Sequence, residues 1–173
     1  SKSATVAKKL IIVISFCRYL TRLGKLNAKI VYPDLPTVIN ARHEILSIAE
    51  TAALISAPKK NKNYLNYRDS IIIRILVLTA IRCNELINIR FQDFKKKYNF
   101  YYLEIPNGKG SKFRELRISN ELFEDIRAYR RRWFSESSDS DYIFKSIPNS
   151  SNHFKAQKIG KNSIRFLLHK YAR

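Results

Sequence analysis

Lys109 stands between two glycines in PNGKGSKFREL, Pro106 to Leu116, in a chain that holds only 4 glycines. Arg82 sits at the exit of a long apolar run, in LTAIRCNEL, and Glu85 follows it by three residues. Both cations suit an anionic oxygen. A guanidinium keeps its proton at physiological pH and presents a planar fork to two oxygens at once, whereas a lysine amine is a compact point charge on a flexible stem. Flanking glycines let a turn approach another molecule closely and take up positive φ. Each residue also has a plainer account. Arg82 can lay its stem on the core and keep its head in water. Lys109 can be a solvated turn lysine, and Glu85 can be the acid of a helix-surface ion pair.

The elements that must carry these residues follow from the apolar pattern. Residues 1–25 predict a helix, with Leu10, Ile11, Ile14, Cys17 and Leu20 at three- and four-residue steps and Gly24 as its stop. Within it, KKLIIVISFC imitates a secretion signal. Arg18 follows at once, no small-residue cleavage site appears, and the run is too short to span a bilayer, so a buried helix face is expected. YPDLPTV, with two prolines, reads as an extended linker at a domain boundary. Ser47 and Glu50 fit a capping box opening a short helix to about Ser56, and PKKNKN is a basic loop.

Tyr67 to Phe91 is almost continuously apolar as far as Ala80, the pattern of a helix buried on all sides. A turn at TAIR and a second helix carrying Glu85, Leu86, Ile89 and Arg90 should follow. FYYLEIP is aromatic and strand-like, KFRELRI alternates like a strand, and NGKGS between them makes a hairpin with Lys109 at its tip. Ser119 to Phe134 predicts an amphipathic helix whose core face is Leu122, Ile126, Tyr129 and Trp133. YIF (142–144) reads as a short extended piece, SIPNSSNH as a polar loop and KNSIRFLLHKYAR as a last helix. The fold class expected is mainly α with a small antiparallel β-hairpin or sheet, an α+β arrangement.

The charge balance narrows the partner. Lys and Arg number 33 against 14 acids, a formal charge of +19, which asks for a polyanion: DNA, RNA or an acidic membrane surface. With 45% hydrophobic residues the chain can build a sizeable core. Cys17 and Cys83 are far apart and lack metal-ligand spacing, so two buried, reduced thiols of a cytoplasmic protein are expected. His43, His153 and His169 are scattered, and neither a metal nor a cofactor is expected. The chain contains no Met, which suggests an internal piece of a longer protein.

Taken in order, YRDSIIIRILVLTAIRCNELINIRFQDF and the later GKGSKFREL hairpin resemble the catalytic domain of tyrosine recombinases, the phage-integrase family. In that family a pattern like T-G-x-R-x-x-E-L holds the first catalytic arginine, and a G-K-G-x-K-x-R hairpin holds the catalytic lysine. Arg82 and Glu85 take the first pair of places and Lys109 the second, while RFQDF, with Asp93, matches the polar stop to the arginine helix. Ala80 stands where the family usually has Gly. The resemblance implies a division into residues 1–32, the last helical part of a DNA-clamping core-binding domain, a linker at 33–40, and a catalytic domain at 41–173. The family also uses an H-x-x-R motif, a further His or Trp, and a nucleophilic Tyr. HKYAR does not supply them: three residues after His169 comes Ala172, and Tyr171 follows Arg82 too soon. A catalytic domain lacking its C-terminal segment is therefore expected.

The activity so implied is site-specific DNA strand cleavage and rejoining through a 3′-phosphotyrosyl link, which splits one exchange into two steps. Arg82 would hold the phosphate oxygens as negative charge gathers, Glu85 would orient Arg82 or its helix, and Lys109 would give the departing 5′-oxygen its proton. Double-stranded DNA would be the partner, with a synaptic tetramer assembled on it, no membrane contact and a cytoplasmic, DNA-associated location. Candidates for gripping phosphates are Lys8, Lys9, Arg18, Arg22 and Lys25 on the first helix, Lys59, Lys60 and Lys62 in the basic loop, and Lys112 and Arg114 beside the hairpin. Two rival readings remain: an inactive recombinase relative that only binds duplex DNA, and an unrelated RNA-binding protein supported by the +19 charge alone.

Overall fold

The computed structural model describes residues 2–27, 31, 33–37, 45–58, 63–106, 113–146 and 158–172. The chain divides into two compact units, Ser1–Ile45 and Leu46–Arg173. The first contains helix α1, Lys2–Arg22. Its end is closed as expected: Gly24 takes φ +65°, and the Lys25 amide donates to the Leu20 carbonyl at 3.0 Å. The apolar run inside α1 is not the buried face predicted. Leu10, Ile14 and Cys17 are only half-buried along one stripe, and Ile11, Ile12, Val13 and Phe16 are exposed, because the run also places apolar side chains off that stripe.

In the second unit, α2 spans Ile48–Ser56, and the capping box forms as read: Glu50 Oε2 accepts from the Ser47 amide at 2.8 Å and the Glu50 amide donates back to Ser47 Oγ at 3.2 Å. Helix α3, Tyr64–Thr79, is the centre of the unit, with Ile71, Ile72, Ile73 and Ile75 excluded from solvent. It packs against α2, against α4 (Cys83–Leu86), against the last strand of the sheet and against α5 (Asn120–Trp133). A buried cation sits among the isoleucines of this helix. Arg74 is buried and paired with Asp125 and with Glu121, the latter at 3.1 Å, so an ion pair joins α3 to α5 within the apolar packing.

The helix after the TAIR turn is shorter than expected. Helix α4 ends at Leu86, and Ile89 and Arg90 lie beyond it in extended chain, where the Ile143 amide donates to the Ile89 carbonyl at 3.1 Å. Asp93 then accepts from the Arg90 amide at 2.8 Å and caps a 3-10 turn over Phe91–Asp93. Ile89 reaches the core from this loop instead of from a helix face. Cys83 is exposed and Cys17 half-buried, and both are free, so the expectation of two buried thiols fails; α4 begins at the surface, with Cys83 as its first residue.

The sheet has three antiparallel strands in the order β1 (Phe94–Lys97), β2 (Phe100–Ile105) and β3 (Arg114–Ile118). Phe94 pairs with Leu103 and Leu103 with Leu116, which sets the core face; Lys95, Tyr102 and Arg117 form a row on the other face. Residues 107–112, between β2 and β3 in the sequence and including the expected hairpin tip at Lys109, lie outside the described residues, as do Lys59, Lys60 and Lys62. Helix α5 buries Leu122, Ile126 and Tyr129 as predicted. Trp133 closes an aromatic cluster, with ring centroids 5.0 Å from Tyr67, 5.5 Å from Tyr129 and 5.8 Å from Tyr64. The last helix, α6, covers Lys161–Tyr171 and buries Ile164 and Leu167. It is tied to α3 through buried Asp69, which accepts from the Tyr171 hydroxyl at 3.3 Å and from Arg68 Nη2 at 2.8 Å. No helix among the described residues is long and apolar enough to cross a membrane.

Candidate active site

Helix α3 ends at a residue that no longer has helical φ/ψ. Ala80, its C-cap, adopts φ 49° and ψ 30°, a left-handed conformation that costs an L-residue about 1–2 kcal/mol. That reversal carries the chain into the short segment that delivers Arg82. The backbone of Arg82 is extended, with φ −71° and ψ 145°, and it is the N-cap of α4. Its guanidinium is at the surface, the side chain being 56% exposed.

Beneath it Glu85 is buried, its side chain 6% exposed. Its two oxygens serve three groups. Oε2 accepts from the Arg82 amide at 2.9 Å, which caps α4, and Oε1 accepts from Arg82 Nη1 at 3.1 Å. From β3, Arg114 closes on the same carboxylate with its fork: Nη1 to Oε1 at 3.0 Å and Nη2 to Oε2 at 2.7 Å. The hydrogen bonds from Arg114 hold the Glu85 carboxyl down to about 2, overriding burial, which alone would raise it; the Arg82 amide and guanidinium add to the same effect. Glu85 is thus a fixed anion between two cations that lie 32 residues apart along the chain (114 − 82).

On the other side of Glu85 a cleft of about 330 Å³ is lined by Asn88, Arg90, Asp93, Glu104 and Tyr142 among others. Arg90 is fully engaged there: Nη1 donates to the Ser140 carbonyl at 2.6 Å, Nη2 to the Tyr142 hydroxyl at 3.2 Å, and the guanidinium lies 4.5 Å from the Tyr142 ring centroid. Burial pushes the Asp93 carboxyl up, against the hydrogen bond from the Arg90 amide. Its three carboxylates are each engaged, Glu85 by Arg82 and Arg114, Glu104 by Lys97 and Asp93 by the Arg90 amide. A second opening, about 490 Å³, joins α4 to α6 and is lined by Cys83, Lys161, Arg165 and His169. Lys161 and Arg165 bring two exposed cations beside the residue next to Arg82. Their i,i+4 spacing on the last helix is the signal for this pair in the sequence.

The other expected residues fall as follows. Lys109 and Lys112 lie outside the described residues. Arg114 is joined to Glu85 and is part of the site itself. Lys8, Lys9, Arg18 and Arg22 are exposed on α1, and Lys25 is exposed just past its end. Among the described residues, no group of three or more His, Cys, Asp or Glu side chains is placed to hold a metal ion.

The family model of the phage integrase family matches residues 44–173. The chain belongs to that family. Its phage-integrase relatives include the tyrosine recombinase XerA of Pyrococcus furiosus, 28% identical over 138 residues, which are 80% of this chain and 44% of that protein. The tyrosine recombinase XerD of Chlamydia pneumoniae is 25% identical over 179 residues, 98% of this chain and 54% of that protein. The chain therefore spans about half the length of these curated relatives. Among solved structures, XerH site-specific recombinase bound to its difH substrate in a pre-cleavage complex superimposes with a TM-score of 0.57 at 18% identity, over 73% of this chain and 36% of that one. The crystal structure of XerA recombinase gives a TM-score of 0.52 at 24% identity, over 73% of this chain and 42% of that one. The mainly helical fold with a small antiparallel sheet is the fold of these recombinases.

Proposed function

We infer that the chain is catalytic-domain material of a tyrosine recombinase, which cleaves and rejoins duplex DNA at specific sites through a 3′-phosphotyrosyl intermediate. The observation that carries this reading is the state of Arg82: a surface guanidinium whose position is set from below by a buried, ionised Glu85. Such a group meets the developing charge of a phosphorane without having to reorganise at the moment of reaction. Lys109 protonates the departing 5′-oxygen from its place between two glycines. The reaction also requires a Tyr nucleophile, a role we assign to no residue of this chain. Residues 1–32 are the end of the core-binding domain, and 33–40 the linker. The relatives XerH and its difH complexes support duplex DNA as the partner, and a tetramer on DNA is the assembly we assign.

Basic side chains hold the phosphates. Lys8, Lys9, Arg18, Arg22 and Lys25 do so from the first unit, and Lys59, Lys60, Lys62 and Lys112 from the basic loop and the hairpin. The test is single-turnover cleavage by the complete protein on a duplex carrying its own recombination site. Arg82→Ala should lower the cleavage rate by about a hundredfold or more with duplex affinity nearly unchanged. Lys109→Ala should slow cleavage in a way that a 5′-thio leaving group restores, since a thiolate departs without a proton. Normal cleavage by Arg82→Ala, or no rescue of Lys109→Ala, would overturn the corresponding role.

A further inference from the structure

Arg114 sits where a DNA contact was expected, yet its fork is already filled. Both of its terminal nitrogens are committed to Glu85, at 3.0 and 2.7 Å. The Arg82 guanidinium, in contrast, makes one hydrogen bond to the same carboxylate, through Nη1 at 3.1 Å. A buried carboxylate demands partners, because an unpaired buried charge is far costlier than a paired one. Glu85 has three available: the Arg82 amide, the Arg82 guanidinium and the Arg114 fork. The amide is fixed by the backbone, so the two guanidinium groups compete for what remains. Arg114 comes from a strand held in register by Ile105 and makes the shorter bonds.

We propose that Arg114 is a positioning residue for Arg82: by occupying both oxygens of Glu85 it limits Arg82 to a single side-chain contact there and leaves the rest of the Arg82 guanidinium for a phosphate. This rests on the reading of Arg82 as a phosphate-holding group. Without Arg114 the Arg82 side chain turns down onto Glu85 and satisfies the carboxylate with its own fork. A site arginine then becomes an internal ion pair. The inference runs against intuition for a basic protein. Removing one cation weakens the site not by lost attraction but by releasing a carboxylate to capture its neighbour, so removing that carboxylate as well should restore the site.

The experiment uses the 173-residue chain and nuclear magnetic resonance of the Arg82 guanidinium, read as the rate of rotation about its Nε–Cζ bond and as its response to inorganic phosphate. In the unaltered chain rotation should be fast. Arg114→Ala should slow it and raise the phosphate needed for half-response about tenfold, the scale of one charge-assisted hydrogen bond. Arg114→Lys, which keeps the charge but not the fork, should resemble Arg114→Ala, and it serves also if the alanine variant does not fold. Arg114→Ala with Glu85→Gln should recover fast rotation and most of the phosphate response. If Arg114→Lys behaves as the unaltered chain, or the double variant stays as weak as Arg114→Ala, Arg114 acts by charge alone and the proposal fails. An unaltered Arg82 that ignores phosphate removes the phosphate-holding reading, and this inference with it. A normal response that neither Arg114 variant changes removes the inference only.

Discussion

Glu85 ionises in spite of its burial. In the folded chain its carboxyl protonates only near 2, against an ordinary value of 4.5, because Arg114 and Arg82 favour the charged form. A carboxyl depressed by folding stabilises the protein fully above the unfolded value and progressively less as pH falls toward the folded one. The contribution from Glu85 is therefore present above about pH 4.5 and is lost between there and about pH 2. Urea titrations across that window should show the unaltered chain losing stability more steeply than Glu85→Gln, in which the other carboxyls still titrate. Parallel curves would mean that Arg114 and Arg82 do not hold the anion in solution. The pairing of Arg82 with Glu85 was legible in the sequence, since three residues on a helical turn bring side chains together. The link to Arg114 was not. It depends on the strand register that sets Arg114 opposite Ile105, and no local pattern in the sequence specifies that register.

The corner between α3 and α4 is held in a conformation its residue does not favour. Ala80 has φ 49°, and the resemblance to a pattern with Gly at this place now has a physical reason: glycine adopts positive φ without steric cost. Ala80→Gly should stabilise the second unit by about 1 kcal/mol, the left-handed cost of alanine less the extra chain entropy of glycine. An unchanged or lowered urea midpoint would show that the corner relaxes in solution. Other elements differ in how clearly they could be read. Strand β2 announced itself through its aromatic residues, β3 through alternation, and α5 through its apolar stripe of Leu122, Ile126 and Tyr129. Strand β1 was hidden because three consecutive lysines carry no period of two. Only the structure separates Lys96, whose amine lies 5.7 Å from the Tyr101 ring centroid, from Lys95 and Lys97 on the opposite face. Helix α4 is shorter than the spacing of Glu85, Leu86, Ile89 and Arg90 suggests, because Ile89 meets the core from extended chain after α4 has ended.

Over the whole molecule the +19 charge sets the mode of binding more than its specificity. Each phosphate neutralised releases a counterion, so duplex affinity should fall linearly in log–log form with salt. If about six phosphates are held, roughly a thousandfold or more should be lost between about 50 and 200 mM. A flat response, or a preference for structured RNA over duplex DNA, would contradict the interface assigned here. The aromatic cluster on α5 has a practical corollary. The chain holds 1 Trp, Trp133, packed against Tyr67, Tyr129 and Tyr64 within the second unit. Tyrosines at such separations pass their excitation to the indole. Emission from Trp133 therefore reports the melting of one unit only, while circular dichroism also counts the 21 residues of α1. The difference between the two signals measures whether the two units of the chain unfold together, with no label added.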